Sequence, residues 1–246
     1  MQIKVSIEND LLKLIPQLNA IDPRQAKFTI ANALTQTAKQ VQAAIKSDMS
    51  RAFKTPTPYT LNALYLKPAT KSSLQAEVRV KDKPSSGNAP IKPLNAEIYS
   101  GSRQAKGFEV ALRGLGILPG NMFVVPGAGV PLDQYGNVNS RLIRAIIEAL
   151  RSAPSTQAAG RRNRSPQGSA SYFAVKPGEK GNLKPGIYAR FGFASGSSIK
   201  PYFLFVKQPN YKERLPFFEL GQKIISENLL ENLKKSYEYA MQTAKK

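Results

Sequence analysis

The chain has 246 residues, with 36 Lys and Arg against 16 Asp and Glu, a formal net charge of +20, and neither His nor Cys. His is the usual general base near neutral pH, and Cys and His are the usual zinc ligands and common activated nucleophiles. Most hydrolytic, redox and zinc chemistries therefore lack their usual residues, and we expect a binding or assembly protein without a cofactor, not an enzyme. The positive excess favours polyanions or acidic protein surfaces as partners.

The hydrophobic content of 41% is sufficient for a folded core in one large domain or two small ones. No apolar run approaches the roughly 18 residues that span a bilayer, and the first residues lack the pattern of a secretory signal. We therefore expect no membrane partner. The absence of Cys fits assembly in a reducing cytoplasm.

The first 53 residues predict a strand and two helices. Apolar and polar residues alternate over 1–8, which is typical of a strand, and Asn9 or Asp10 can cap a short helix that ends at Pro16. Asp22 as N-cap and Pro23 at the first helical position then begin a long helix that runs to about Phe53. Its apolar positions recur every three or four residues: Phe28, Ala31, Leu34, Ala38, Val41 and Ile45. Its other face is basic: Arg24, Lys27, Lys39, Lys46 and Arg51.

The next segment predicts extended chain and one mobile loop. Pro58 and Pro68 bracket Tyr59–Lys67, which favours an extended conformation, and clean alternation predicts a strand over 74–80. The stretch Lys83–Leu94 is rich in Pro, Lys, Ser, Gly and Asn without periodicity, which predicts a mobile loop.

The second half predicts helices and then strands. We expect helices over Gln104–Leu115 and from Ser140 as N-cap, with a turn-rich segment at 132–137 before the second helix. A final amphipathic helix is expected over Phe217–Met241. Four strands are expected: Met122–Val125, Tyr172–Lys176, Ile187–Phe193 and Ile199–Lys207. The whole pattern predicts an α+β fold, in which long amphipathic helices pack on an antiparallel sheet.

A basic, low-complexity segment separates the helix that starts at Ser140 from the last three predicted strands. Residues 153–170 hold Arg161, Arg162 and Arg164 among Gly, Ser and Gln, and we expect a flexible loop. Flexible arginine-rich segments can neutralise phosphates, so these arginines are candidate contacts to DNA or to a protein partner. The alternative is a solvated loop without a specific role. Lys39, Lys46 and Arg51 on the long helix are further candidate contacts.

Two other patterns have a functional and a structural interpretation. Aromatic and basic residues interleave at 188–191 and 202–207, as in a platform that stacks single-stranded bases, although strand alternation favours burial in the core. Asp133 and Glu148 are close in sequence, but a turn aspartate and a solvated helix glutamate are the simpler interpretation. The frequent glycines match no phosphate-binding motif. No residue is assigned a catalytic or metal-binding role.

Several segments follow one another in a distinctive order: an opening strand and leucine-rich helix, Ala31–Val41 (ANALTQTAKQV), the basic insert, Leu183–Arg190 (LKPGIYAR), Ile199–Val206 and the closing helix. This order resembles the minor tail protein Z and tail-completion family of tailed bacteriophages. Residues 55–62 through 133–137 also resemble uncharacterised prophage proteins of similar length. The resemblance implies one tail-completion-like domain over 1–246 with an enlarged insertion over 68–152.

The resemblance also implies a structural role at the neck of the virion. Proteins of this kind complete the tail and join it to the DNA-filled head. The implied partners are a homo-oligomeric ring, portal-side connector proteins, tail terminator or tail tube proteins and packaged DNA, and the implied location is the virion after synthesis in the host cytoplasm. A free DNA- or RNA-binding protein that uses the arginine-rich loop is the alternative. A carboxylate-dependent nuclease is a third, disfavoured by the few, scattered acidic residues.

Overall fold

The computed structural model describes residues 1–6, 22–83, 89–152, 170–193, 196–208 and 210–243, and it divides the chain into two compact units. The first unit comprises Met1–Gly101 and Lys212–Lys246, and the second comprises Ser102–Tyr211. The strands are β1 Gln2–Ser6, β2 Leu64–Lys67, β3 Gln75–Val80, β4 Gly101–Ser102, β5 Met122–Pro126, β6 Ala170–Val175, β7 Gly186–Phe193, β8 Gly196–Lys207 and β9 Asn210–Tyr211. The helices are α1 Pro23–Ala52, α2 Pro58–Leu61, α3 Ile91–Tyr99, α4 Gly107–Gly114, α5 Ser140–Ser152 and α6 Phe217–Thr243.

Helix α1 is the frame of the first unit, and the sequence predicts its bounds. The Asp22 carboxylate accepts a hydrogen bond from the Arg24 N–H at 2.7 Å, and Pro23 occupies the first turn, where no N–H is needed. The helix ends at Ala52, and the next residue, Phe53, is extended, before the two prolines at 56 and 58. Its apolar face is buried along its length: Ile30, Ala33, Leu34, Ala38, Val41, Ile45 and Met49.

Antiparallel strands in the order β1-β3-β2 form the sheet that packs on α1. Ile3 lies opposite Val78, and Val5 lies opposite Ala76, so these four side chains share the inner face. Helix α6 packs along α1 and adds Leu229 and Leu233 to the same core. Gly221 of α6 allows close approach to β1, because a Cβ there would overlap the Ile3 side chain.

The second unit is a four-stranded antiparallel sheet in the order β5-β8-β7-β6 with α4 and α5 on its core side. Ile187 and Ala189 of β7 and Phe203 of β8 pack there against Leu112 of α4 and Ile146 of α5. The α+β prediction, with antiparallel sheets and long packing helices, is thus confirmed, with the sheet divided into two. The predicted insertion over 68–152 stays a prediction, because it is defined relative to a family. The structure's own division falls at residues 102 and 211.

Three local predictions are wrong. Residues 59–61 of the segment predicted to be extended lie in α2, because the Thr57 hydroxyl accepts a hydrogen bond from the Thr60 N–H at 3.1 Å and Pro58 fits the first turn. The predicted loop 83–94 ends too late in the sequence, because α3 begins at Ile91 and buries Leu94 and Ile98. The cap of α5 is Asn139, whose side chain accepts from the Arg141 N–H at 2.8 Å, and not Ser140.

Other predictions fall on residues that the structure does not describe. The short helix from Asn9 to Pro16 lies outside the described residues, as do residues 84–88 of the predicted loop and 153–169 of the basic segment. Among the helices of the described ranges, none combines the length and the apolar composition needed to cross a membrane.

Candidate functional site

The outer face of α1 presents two of the predicted contact residues together. Lys39 and Lys46 are both exposed and lie seven residues apart, which is about two helical turns, or roughly 10 Å along the axis. Both side chains line one surface depression of 460 Å³. The predicted basic face of α1 therefore contributes to a shaped surface.

Lys81 completes this surface from a different part of the chain. It follows β3, is exposed, and lines the same depression as Lys39 and Lys46. The other described residues of the lining are Gln42, Ala43, Leu61, Asn62 and Leu64, and none of these is acidic. We call Lys39, Lys46 and Lys81 the lysine cluster. Its three positive charges, with no acidic residue among these neighbours, favour an anionic ligand.

Hydrogen bonds between α1 and the start of β2 fix the relative positions of the elements that line this surface. The Lys46 ammonium donates to the Asn62 side-chain oxygen at 3.0 Å, and the Gln42 amide donates to the Leu64 carbonyl at 3.4 Å. The Lys81 backbone N–H donates to the Ala63 carbonyl at 2.8 Å. The end of β3 is therefore fixed next to β2, which places Lys81 beside the helix.

Lys39 also borders two neighbouring depressions of the first unit. One, of 300 Å³, is lined by Phe28 and Lys71, and the Lys71 ammonium lies 5.6 Å from the centre of the Phe28 ring. Phe28 is 38% exposed, so this predicted apolar position of α1 lies at the edge of the core. The other, of 430 Å³, follows the seam of α1 with α6 and is lined by Lys235. Lys39 thus joins three concave surfaces.

Arg51, the other predicted contact residue that the structure describes, does not belong to the lysine cluster. Arg51 is exposed but lies 3.4 Å from the Asp48 carboxylate, one turn earlier in the same helix, and it lines none of these depressions. Arg161, Arg162 and Arg164 lie outside the described residues. Sequence reasoning missed Lys81, because a lysine at a strand end has no periodic signal. Only the pairing of β2 with β3 places it near α1.

Four of the five interleaved aromatic residues of β7 and β8 are buried, and the fifth, Phe191, is half-buried and packs against the core of the second unit. Tyr188 is 4% exposed, and Tyr202, Phe203 and Phe205 are each at most 7% exposed. Burial raises the pKa of the Tyr188 and Tyr202 hydroxyls above the usual range. The interpretation as core is confirmed, and these rings are not a platform for bases.

The carboxylates considered in the sequence have structural surroundings. Asp133 accepts hydrogen bonds from the N–H groups of Tyr135 and Asn137, at 2.9 and 2.8 Å, and so closes the turn over 133–137. Glu148 is exposed on α5. Within the ranges that the structure describes, no three acidic side chains gather as they would to hold a metal ion.

No protein-family model, no curated protein and no solved structure matches this chain.

Proposed function

We propose that the chain is a structural virion protein of a tailed bacteriophage, which acts at the neck or upper tail. It completes the tail and joins it to the DNA-filled head. The observation that carries the proposal is where the family-like segments lie. Ala31–Val41 lies in the middle of α1 and supplies much of its buried face, and Leu183–Arg190 and Ile199–Val206 extend into the paired strands β7 and β8. The resemblance thus rests mainly on the helices and strands of both units.

In this role the protein assembles as a closed ring, because cyclic symmetry matches the axis of a neck. Its partners are connector proteins on the portal side and tail terminator or tail tube proteins on the other. The lysine cluster supports contact with acidic surfaces of neighbouring subunits or with packaged DNA. The protein is made in the host cytoplasm and is located in the virion.

Quantitative mass spectrometry of gradient-purified particles tests the proposal, with separated heads and tails measured alongside. The particles are those of the phage whose genome encodes the chain. We expect a fixed copy number of about one ring that travels with the tail or the joined neck. Absence of the protein from purified particles would overturn the proposal.

A second candidate function is nucleic-acid binding by the free protein without catalysis, which the lysine cluster favours. When a protein binds through phosphates, the logarithm of its association constant falls linearly with the logarithm of the salt concentration. For duplex DNA the slope is about −0.9 for each neutralised phosphate. Replacement of Lys39, Lys46 and Lys81 by Gln should lower the affinity for duplex DNA and reduce that slope by about two to three. Arg51→Gln is the matched control, since Arg51 already pairs with Asp48. An unchanged slope in the triple variant excludes the cluster as the binding surface.

A further inference from the structure

The outer face of the sheet in the first unit carries polar, charged and aromatic side chains. Because Ile3, Val5, Ala76 and Val78 point to α1, their neighbours along each strand point away from it. The central position of this outer face pairs Arg79 of β3 with Gln2 of β1 on one side and Tyr65 of β2 on the other.

Tyr65 is an exposed aromatic residue of this face, with 45% of its surface accessible. The Arg79 guanidinium lies over the Tyr65 ring, 5.4 Å from its centre. The guanidinium is also held by Glu77, whose carboxylate oxygen lies 3.5 Å from the Arg79 Nε. The Arg79 guanidinium is thus held against the Tyr65 ring by the fold, and the ring remains accessible to solvent.

The pair lines a depression of 570 Å³ with a positive rim. Lys81 and Lys83 are exposed and line it together with Arg79, whereas Asp82 is the one acidic residue among the described residues of its lining. Lys81 also belongs to the lysine cluster, so the two depressions share a wall. A polyanion that follows the lysines would therefore reach Tyr65.

We propose that this depression binds single-stranded nucleic acid, with one base stacked on the Tyr65–Arg79 pair and the adjoining phosphates on Lys81 and Lys83. Aromatic rings and guanidinium planes stack unpaired bases, and every base offers the π-face that this requires. Duplex DNA keeps its bases within the helix, and an acidic peptide offers charge without a planar ring, so neither ligand uses Tyr65. The inference goes beyond the proposed virion role, which requires no contact to a base.

The absence of Trp from the chain allows a direct test. Tyr65→Trp introduces a single tryptophan, whose fluorescence is quenched when a base stacks on it. We expect saturable quenching by oligothymidylate and none by an abasic deoxyribose-phosphate strand of the same length. Tyr239→Trp is the matched control, because Tyr239 is 53% exposed on α6 and lines none of the depression. Its fluorescence should not change on addition of either strand.

Affinity measurements with labelled oligothymidylate at fixed salt complete the test. Loss of one stacked base weakens binding by about 5- to 150-fold, and we expect this loss for Tyr65→Leu but not for Tyr65→Phe. Thermal melting of both variants shows whether the first unit stays folded.

Three results would overturn the inference. They are absence of binding by the unchanged protein, binding that leaves the fluorescence of the Tyr65→Trp variant unaffected, and equal quenching of that variant by the abasic strand. None of these results bears on incorporation of the protein into particles, so they test the binding proposal without testing the proposed virion role.

Discussion

Arg103 and Glu109 form a bidentate ion pair inside the second unit, where the Glu109 side chain is only 1% exposed. The Arg103 Nη1 donates to the Glu109 Oε2 at 2.7 Å, and the Nη2 donates to the Oε1 at 2.5 Å. The same carboxylate accepts from the N–H groups of Lys106, at 2.7 Å, and Val124, at 2.8 Å. One side chain therefore caps the start of α4 and joins that helix to β5.

Glu109→Gln should strongly destabilise the second unit. The amide removes the charge that balances the partly buried Arg103 guanidinium, and it presents a donor where the carboxylate accepts. Breaking a buried ion pair by changing one partner costs about 3–5 kcal/mol. Chemical denaturation followed by circular dichroism measures the loss. Glu148→Gln, at an exposed position of α5, should change stability by less than about 0.5 kcal/mol. A loss near that of Glu148→Gln would contradict the role of the buried pair.

Protonation of Glu109 in this ion pair should make the stability of the second unit depend on pH. Burial alone would raise the pKa of Glu109, but hydrogen bonds from the Arg103 side chain and from the Val124 and Lys106 N–H groups outweigh it and lower the pKa. The folded pKa thus lies below the unfolded value of about 4.3, so its stabilisation is fully present above that value and is lost as pH falls through the folded pKa. The difference in free energy of unfolding between the wild-type protein and the Glu109→Gln variant should therefore decrease below about pH 4. A difference that stays constant down to about pH 3 would show that the charge is not the cause.

Local signals in the sequence predict most elements of this fold, because those elements depend on neighbours along the chain. Asp22 and Pro23 specify the start of α1, and the spacing of its apolar residues specifies the buried face. Contacts between distant segments have no such signal. Glu109 lies inside the helix that the sequence predicts over Gln104–Leu115, and only the fold places it in the first turn of α4 and brings Val124 within reach of it. Lys81 and Tyr65 likewise gain their neighbours from strand pairing. The full set of residues in the lysine cluster, and in the depression lined by Tyr65 and Arg79, therefore cannot be predicted from the sequence.

The seam between α1 and α6 contains a buried amide that should matter for stability. Asn232 is 8% exposed, and its side-chain amide donates to the Thr37 hydroxyl at 2.9 Å and to the Gln40 side-chain oxygen at 2.7 Å. Asn232→Ala removes both bonds, leaves the Gln40 oxygen without this donor in the seam, and should cost about 2 kcal/mol. Denaturant unfolding measures the loss.

Asn228→Ala is the matched control for this seam. The Asn228 amide donates to the Ile224 carbonyl, one turn earlier in its own helix, at 2.9 Å. Its loss removes a bond within α6 and not one between the two helices, and Ala favours the helix, so we expect less than about 1 kcal/mol. Equal losses in the two variants would show that the bonds across the seam contribute nothing beyond those within α6.

Gly186 is required at the start of β7 by the neighbouring strand. A Cβ at this position would overlap the Phe203 carbonyl oxygen, which is a backbone atom fixed by the pairing of β7 with β8. Gly186→Ala should therefore force the two strands apart and cost about 1–3 kcal/mol. Gly114→Ala, at the end of α4, is the control, because a Cβ there meets no atom within 4 Å and Ala favours the helix. Thermal melting should show a lower midpoint for Gly186→Ala and an equal or higher one for Gly114→Ala. An unchanged midpoint for Gly186→Ala would mean that the strands can separate at this position without loss of stability.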